Sequence, residues 1–145
     1  MFGDLLSRLL APAPQTLPDA DARRALSALM VRLARADGHY DEDERARITR
    51  ILSERYGLDA EAAEALRGEA EALEAEAPDT VRFTRAIKDA VPYEARAAVI
   101  EALWQVALAD GARDAGEDSL IRLVSSLLGL TDQESARARQ RVLRG

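Results

Sequence analysis

Two short acidic segments contain the side chains of this sequence that are best placed to do chemistry. One runs from Ala36 to Glu44 and the other from Ala109 to Glu117, and both read A-D-G-x-x-D-x-x-E. We call them the first and second elbow. Each elbow supplies three carboxylates, which are Asp37, Asp41 and Glu44 in the first and Asp110, Asp114 and Glu117 in the second. Because Ca²⁺ and Mg²⁺ prefer hard oxygen ligands, these residues form a predicted set of metal ligands.

The same carboxylates also have a structural interpretation as helix caps. The second aspartate of each elbow stands where a side chain accepts hydrogen bonds from the free N–H groups of a helix, and the glutamate three residues later completes a capping box. The first aspartate fits less well, because a negative charge in the last turn of a helix is unfavourable by about 0.3–1 kcal/mol. Either the N-terminus of the next helix or a bound cation would compensate that charge, and the sequence leaves both open. Neither elbow matches the EF-hand loop, so any cation site is of another kind.

Missing residue types exclude most catalytic mechanisms. The sequence has no cysteine and a single histidine, His39. Thiol nucleophiles, disulfides and soft-metal capture are therefore excluded, and a Ser-His-Asp set would depend on that one imidazole. We interpret His39 as an exposed turn residue rather than a ligand. The sequence contains no P-loop and no G-x-G-x-x-G motif, and we predict neither catalytic nor cofactor-binding residues.

The net charge of -6 is concentrated in one segment. Residues 59–79 contain eight acidic residues and one base, Arg67, so we expect the helix in this segment to be mostly exposed to solvent. Nucleic-acid binding needs a cationic surface, and the dense basic run of the sequence is limited to four arginines between residues 137 and 144. We interpret that run as a solvated last helix and predict no nucleic-acid partner.

The elements that must position the elbows are helices. Alanine is abundant, aromatic residues make up 4% of the chain and no segment alternates like a strand, so we predict an all-α protein. Predicted helices span about residues 19–36, 41–56, 59–76 and 95–109, and further helices start near residues 80, 114 and 131. The fourth of these is the most apolar and is expected to be central, with Pro92 at its first position. Gly57 and Gly129 are predicted helix stops, and Thr131-Asp-Gln-Glu134 is a predicted capping box.

The first 18 residues differ from the rest of the chain. An amphipathic N-terminal helix is predicted over residues 1–10, and a proline-rich linker over residues 11–18. The apolar face of the helix comprises Phe2, Leu5, Leu6, Leu9 and Leu10. We expect this face to dock on the protein's own core, with a partner groove or a membrane surface as alternatives. The chain has no signal-peptide pattern and no apolar run of the roughly 18–20 residues that span a membrane, so we expect a cytoplasmic protein with its helical domain at residues 19–145.

The elbows belong to a longer internal repeat at an offset of 73 residues. Before the elbows, Met30, Leu33 and Ala34 align with Leu103, Val106 and Ala107, and after them Ile48 and Ile51 align with Ile121 and Val124. The domain is therefore predicted to contain two copies of one helical hairpin. The doubled A-D-G-x-x-D-x-x-E elbow followed by I-x-x-[IV] resembles the TerB-like family, named for tellurite resistance protein B, in its short bacterial form. The resemblance covers roughly residues 20–143.

The resemblance implies a compact cytoplasmic bundle of about seven helices with two pseudo-symmetric helical hairpins. It also implies association with tellurite or metal-stress systems, some of them linked to membranes, through a protein partner and without catalysis or a small-molecule substrate. In the family the acidic elbow residues are linked to cation binding, which would make Ca²⁺ or Mg²⁺ the cofactor here. Two functions remain open. One is a non-catalytic interaction module whose elbows and acidic third helix bind a partner, and the other is a cation sensor or buffer.

Overall fold

The computed structural model describes residues 19–38, 40–77, 79–108 and 115–144. Within these ranges the chain forms seven α-helices and no strand, which confirms the predicted all-α class. The helices are α1 (Asp19–Ala34), α2 (Glu42–Tyr56), α3 (Ala60–Glu76), α4 (Val81–Ala90), α5 (Arg96–Leu108), α6 (Ala115–Leu127) and α7 (Asp132–Arg144). Two 3-10 turns, Arg35–Asp37 and Tyr93–Ala95, follow α1 and precede α5. The helix predicted at residues 1–10 and the linker predicted at 11–18 lie outside the described residues.

Two helices, α1 and α5, form the centre of the bundle. α1 packs against α2, α3, α4, α5 and α6. Its Leu29, Met30 and Leu33 are fully buried. α5 packs against α1, α2, α6 and α7, and most of its residues are buried. The prediction that α5 is central is therefore confirmed, with the addition that α1 shares this position.

The two predicted helical hairpins are α1–α2 and α5–α6, and in the structure each is followed by a third helix that extends the repeat. The first copy is α1, α2 and α3, the second is α5, α6 and α7, and in both copies the first helix makes its largest contact with the third. Corresponding residues are buried in pairs, namely Met30 with Leu103, Ile48 with Ile121, Ala63 with Ser135, and Leu66 with Ala138. α4 connects the two copies and packs against α1 and α6. Two copies of one helical unit therefore share a single core.

The second helix of each copy ends in the same kind of glycine turn. Gly57 and Gly129 have φ angles of 63° and 80°, in the left-handed region that favours glycine. The amide of the leucine after each glycine donates to a serine carbonyl five residues back, at 3.1 and 2.8 Å. This six-to-one bond is that of a Schellman motif. The predicted stops at both glycines are confirmed.

The start of α5 differs from its prediction. Pro92 is not the first helical residue, because its ψ of 157° is extended and its carbonyl accepts the Ala95 amide at 2.9 Å, so that it caps the 3-10 turn before α5. Arg96 then begins α5, and its side chain donates to three backbone carbonyls near the ends of α4 and α6 at 3.0–3.1 Å. These bonds join three helix ends, and they depend on tertiary packing that helical periodicity does not contain.

Candidate functional site at the elbows

The first elbow connects α1 to α2. α1 continues through the 3-10 turn Arg35–Asp37 and stops at Gly38, whose φ of 85° is left-handed and whose amide donates to the Arg35 carbonyl at 3.0 Å. The chain then reaches Asp41, which is the N-cap of α2. The side chain of Asp37 and the whole of His39 lie outside the described residues. The roles predicted for these two residues therefore stay predictions.

Asp41 caps α2 as its structural interpretation predicted. Its backbone is extended, with φ of -96° and ψ of -177°, and its Oδ1 accepts the Glu44 amide at 3.0 Å. A reciprocal box forms at α7, where Thr131 Oγ1 accepts the Glu134 amide at 3.0 Å and Glu134 Oε1 accepts the Thr131 amide at 2.9 Å. The predicted box at Thr131 is confirmed. At Asp41 the cap uses one of the two carboxylate oxygens, so capping and cation binding do not compete for the same atom.

The second elbow is described from α6 onward. Glu117 lies in the first turn of α6 and is 8% exposed. Its counterpart Glu44, in the first turn of α2, is half-buried. The glutamates of the two elbows therefore differ in how far they are shielded from solvent.

Three of the six predicted metal ligands have no described side chain, namely Asp37, Asp110 and Asp114. Among the side chains that are described, no three histidine or carboxylate groups lie close enough together to hold a metal ion. The predicted ligand set and its ion, Ca²⁺ or Mg²⁺, accordingly stay predictions.

Tyr40 holds the first elbow against α3, a role that the sequence analysis did not predict. The Tyr40 hydroxyl donates to Glu71 Oε2 at 2.6 Å, and the tyrosine ring lies beneath the guanidinium groups of Arg35 and Arg45 at 4.8 and 5.3 Å. Burial, together with the bond to Glu71, raises the pKa of the Tyr40 hydroxyl well above its ordinary value, so the hydroxyl remains a proton donor. An aromatic residue inside an otherwise polar elbow was the available sequence signal.

Glu71 is the centre of a small charged cluster behind the elbow. Its Oε2 lies 3.7 Å from Arg45 Nε on α2 and 3.5 Å from Arg67 Nε on α3. Arg67 also donates to Thr49 Oγ1 on α2 at 2.9 Å. These contacts connect α2 to α3 next to Tyr40. The first elbow is therefore held in place by a network of charged and polar residues that are bonded to one another.

Acidic residues of α3 also pair with arginines of α1. Arg24 Nε lies 3.0 Å from Glu69, and Arg32 Nε lies 3.1 Å from Glu74. The Arg32 guanidinium donates further to the carbonyls of Glu74 and Ala77, at 3.1 and 3.0 Å. The expectation of a mostly solvated third helix is therefore correct for one side only. Its inner side carries acidic residues that are neutralised within the fold, and its outer side carries the exposed ones.

Comparison with known proteins identifies the family. A family model described as tellurite resistance protein TerB matches residues 23–140. The chain belongs to the TerB family, and it contains a helical domain related to tellurite resistance. Comparison with curated proteins and with solved structures gave no match. Within the described part of the chain, no helix has both the length and the apolar character needed to cross a membrane.

Proposed function

We propose that the chain is a non-catalytic interaction module of the tellurite and metal-stress response, and that it acts in the cytoplasm on a protein partner. Membership of the TerB family supports the proposed response. The observation that supports binding of a partner at the first elbow is the 2.6 Å hydrogen bond from Tyr40 to Glu71. This bond fixes the elbow against α3. A surface that is ordered before binding loses less conformational entropy when a partner docks.

The proposed binding surface is acidic. It comprises the exposed Asp41, Glu42 and Asp43 at the start of α2 and the exposed Glu61, Glu64 and Glu76 on the outer side of α3. We call it the acidic surface. Because the inner acids of α3 are already paired with arginines, the outer acids of α3 are the ones that can attract a partner. At the start of α2, Glu42 is itself paired with Arg45 at 2.9 Å, so Asp41 and Asp43 contribute more of the attraction there. A basic partner would be steered to such a surface, and its association would slow as salt increases.

Site-specific photo-crosslinking in cells of the source organism tests this proposal. A photoreactive amino acid placed at Asp43 or Glu61 is expected to give the same discrete adduct, and tellurite exposure is expected to change its yield. The matched controls are Gln133 and Gln140, which are exposed polar positions on α7. Adducts of equal yield from the α7 positions, or none from the acidic surface, would contradict the proposal.

The second candidate is a divalent-cation sensor or buffer in which the elbow carboxylates are the active feature. The geometry of Asp41 supports it, because the helix cap uses Oδ1 and leaves the second carboxylate oxygen available as a ligand. In this reading Asp37, Asp41 and Glu44 hold one Ca²⁺ or Mg²⁺ ion, and Asp110, Asp114 and Glu117 hold another.

Calorimetric titration with Ca²⁺, Mg²⁺, Mn²⁺ and Zn²⁺ separates the two candidates. The cation proposal expects saturable heat and a rise in melting temperature, both reduced in Asp41→Asn, since asparagine keeps the helix cap but removes the charge. Glu42→Gln, at the neighbouring exposed position, is the control and should respond like the parent chain. The absence of heat and of any thermal shift with all four ions would remove the cation candidate and leave the interaction module.

A further inference from the structure

An apolar groove lies at the opposite end of α1 from the first elbow. It has a volume of about 350 Å³ and is walled by the first turns of α1, the C-terminal end of α4 and the start of α5. The aliphatic residues that line it are Ala22, Leu26, Ile87, Ala90, Val91, Pro92, Ala95 and Val99. A concave, mostly apolar space of roughly 300–1,000 Å³ with a few polar groups is the usual form of a small-molecule site.

One side of the groove is cationic. Arg23 and Arg55 line it together with Tyr56, and their guanidinium carbons lie 4.2 and 5.6 Å from the centre of the Tyr56 ring. Arg55 also donates from Nη1 to the Ala98 carbonyl at 3.1 Å, which restricts its side chain further. The stacking and this bond hold two positive charges beside an apolar space.

These two arginines differ from those on the opposite side of α1. Arg24 and Arg32 are paired with carboxylates of α3. Among the carboxylates whose side chains the structure describes, which leave out Asp19 and Asp21, none is paired with Arg23 or Arg55. Two guanidinium groups without a carboxylate partner can pair with an anionic head group that enters the groove.

We propose that this groove binds a free alkyl carboxylate, with the chain on the aliphatic walls and the carboxylate at Arg23 and Arg55. The volume suits a small amphiphile. The charge of Arg23 and Arg55 selects an anionic head group, and the remaining walls are mostly aliphatic and suit an alkyl chain. No catalysis is implied, and the groove shares no residue with the acidic surface.

Methyl NMR on the full chain, with decanoate as the probe below its micellar concentration, tests the proposal. Saturable shifts are expected at Ala22, Leu26, Ile87 and Val99. Shortening the probe to octanoate is expected to weaken binding roughly tenfold, since each buried methylene contributes about 0.8 kcal/mol. Decyltrimethylammonium has the same chain length with a cationic head, and it is expected to leave these methyls unshifted.

Three variants make the result specific. The double variant Arg23→Gln/Arg55→Gln is expected to weaken decanoate binding at least tenfold. Arg85→Gln/Lys88→Gln removes the same charge from the exposed side of α4 and should bind like the parent chain. Ala95→Leu fills the groove at an exposed position, so it should abolish binding while the melting temperature is retained.

Several results would overturn the proposal. They are shifts spread over the whole surface, equal binding of the cationic probe, unchanged affinity in the double arginine variant, or no response to decanoate.

Discussion

Single side chains decide how firmly the first elbow is held, and Tyr40 is the clearest case. Tyr40→Phe removes only the hydroxyl that donates to Glu71, so we expect it to lower the free energy of unfolding by about 1–2 kcal/mol. Urea denaturation measures this loss. Tyr93→Phe is the control, because the Tyr93 hydroxyl also bonds a glutamate but in an exposed position, and it should cost less. Equal losses in the two variants would show that the Tyr40 bond does not fix the elbow.

The cap at Asp41 can be separated from its charge. Asp41→Ala is expected to lower stability by about 1 kcal/mol because the Glu44 amide loses its acceptor. Asp41→Asn should keep most of that stability, since asparagine caps helices about as well as aspartate. Thermal melts of the two variants give the comparison. If asparagine costs as much as alanine, the carboxylate charge itself is needed at this position.

At the level of whole helices, Arg32 joins α1 to the C-terminal end of α3. Arg32→Met keeps an apolar stem but removes the donor to Glu74 Oε2 and to two carbonyls, so we expect a loss of about 2–3 kcal/mol. Arg35 remains 3.4 Å from the other oxygen of Glu74. The loss should persist at high salt, because these groups are largely shielded from solvent. Arg85→Met on the exposed side of α4 is the control and should change the urea midpoint little.

The start of α7 makes the stability of that helix dependent on pH. The hydrogen bond from the Thr131 amide, followed by that from Tyr93, lowers the pKa of the Glu134 carboxyl below its ordinary value. A carboxyl with a lowered folded pKa contributes stability at neutral pH and loses that contribution as acid protonates it. The gap in melting temperature between the parent chain and Glu134→Gln should therefore be widest near neutrality and close as the pH falls from about 5 towards 3. A gap that stays constant over this range would contradict the assignment.

The helices themselves were predictable because their signals are local. Gly57, Gly129 and the box from Thr131 to Glu134 act through neighbouring residues, and the structure places each where the sequence did. The bonds of Tyr40 and Arg32 were not predictable in the same way, because each joins residues more than 30 positions apart and depends on which helices become neighbours. The third helix of each copy was predicted as a helix but was not assigned to the repeat, because the two helices share burial but little sequence.

For the molecule as a whole, the shared core predicts that both copies of the repeat unfold together. Trp104 lies in the second copy and is the one tryptophan of the chain, so its fluorescence reports on that copy, whereas circular dichroism reports on all helices. Leu29→Ala in the first copy should lower stability by about 2–5 kcal/mol. It should shift the unfolding midpoint measured by fluorescence and the one measured by circular dichroism by the same amount. Leu123→Ala, at a residue 45% exposed, is the control and should shift neither by much. Separate midpoints would mean that each copy is an independent unit.

Because α1 is central, the apolar groove and the first elbow lie at opposite ends of one helix. The apolar groove begins at Ala22 and the elbow at Ala36, which for a helical rise puts them about 20 Å apart along the same axis. A ligand that tilts or shifts α1 at one end also moves the other end of the helix. Thermodynamic linkage then requires reciprocity, so that occupancy of the groove would change affinity at the elbow by the same factor as the converse.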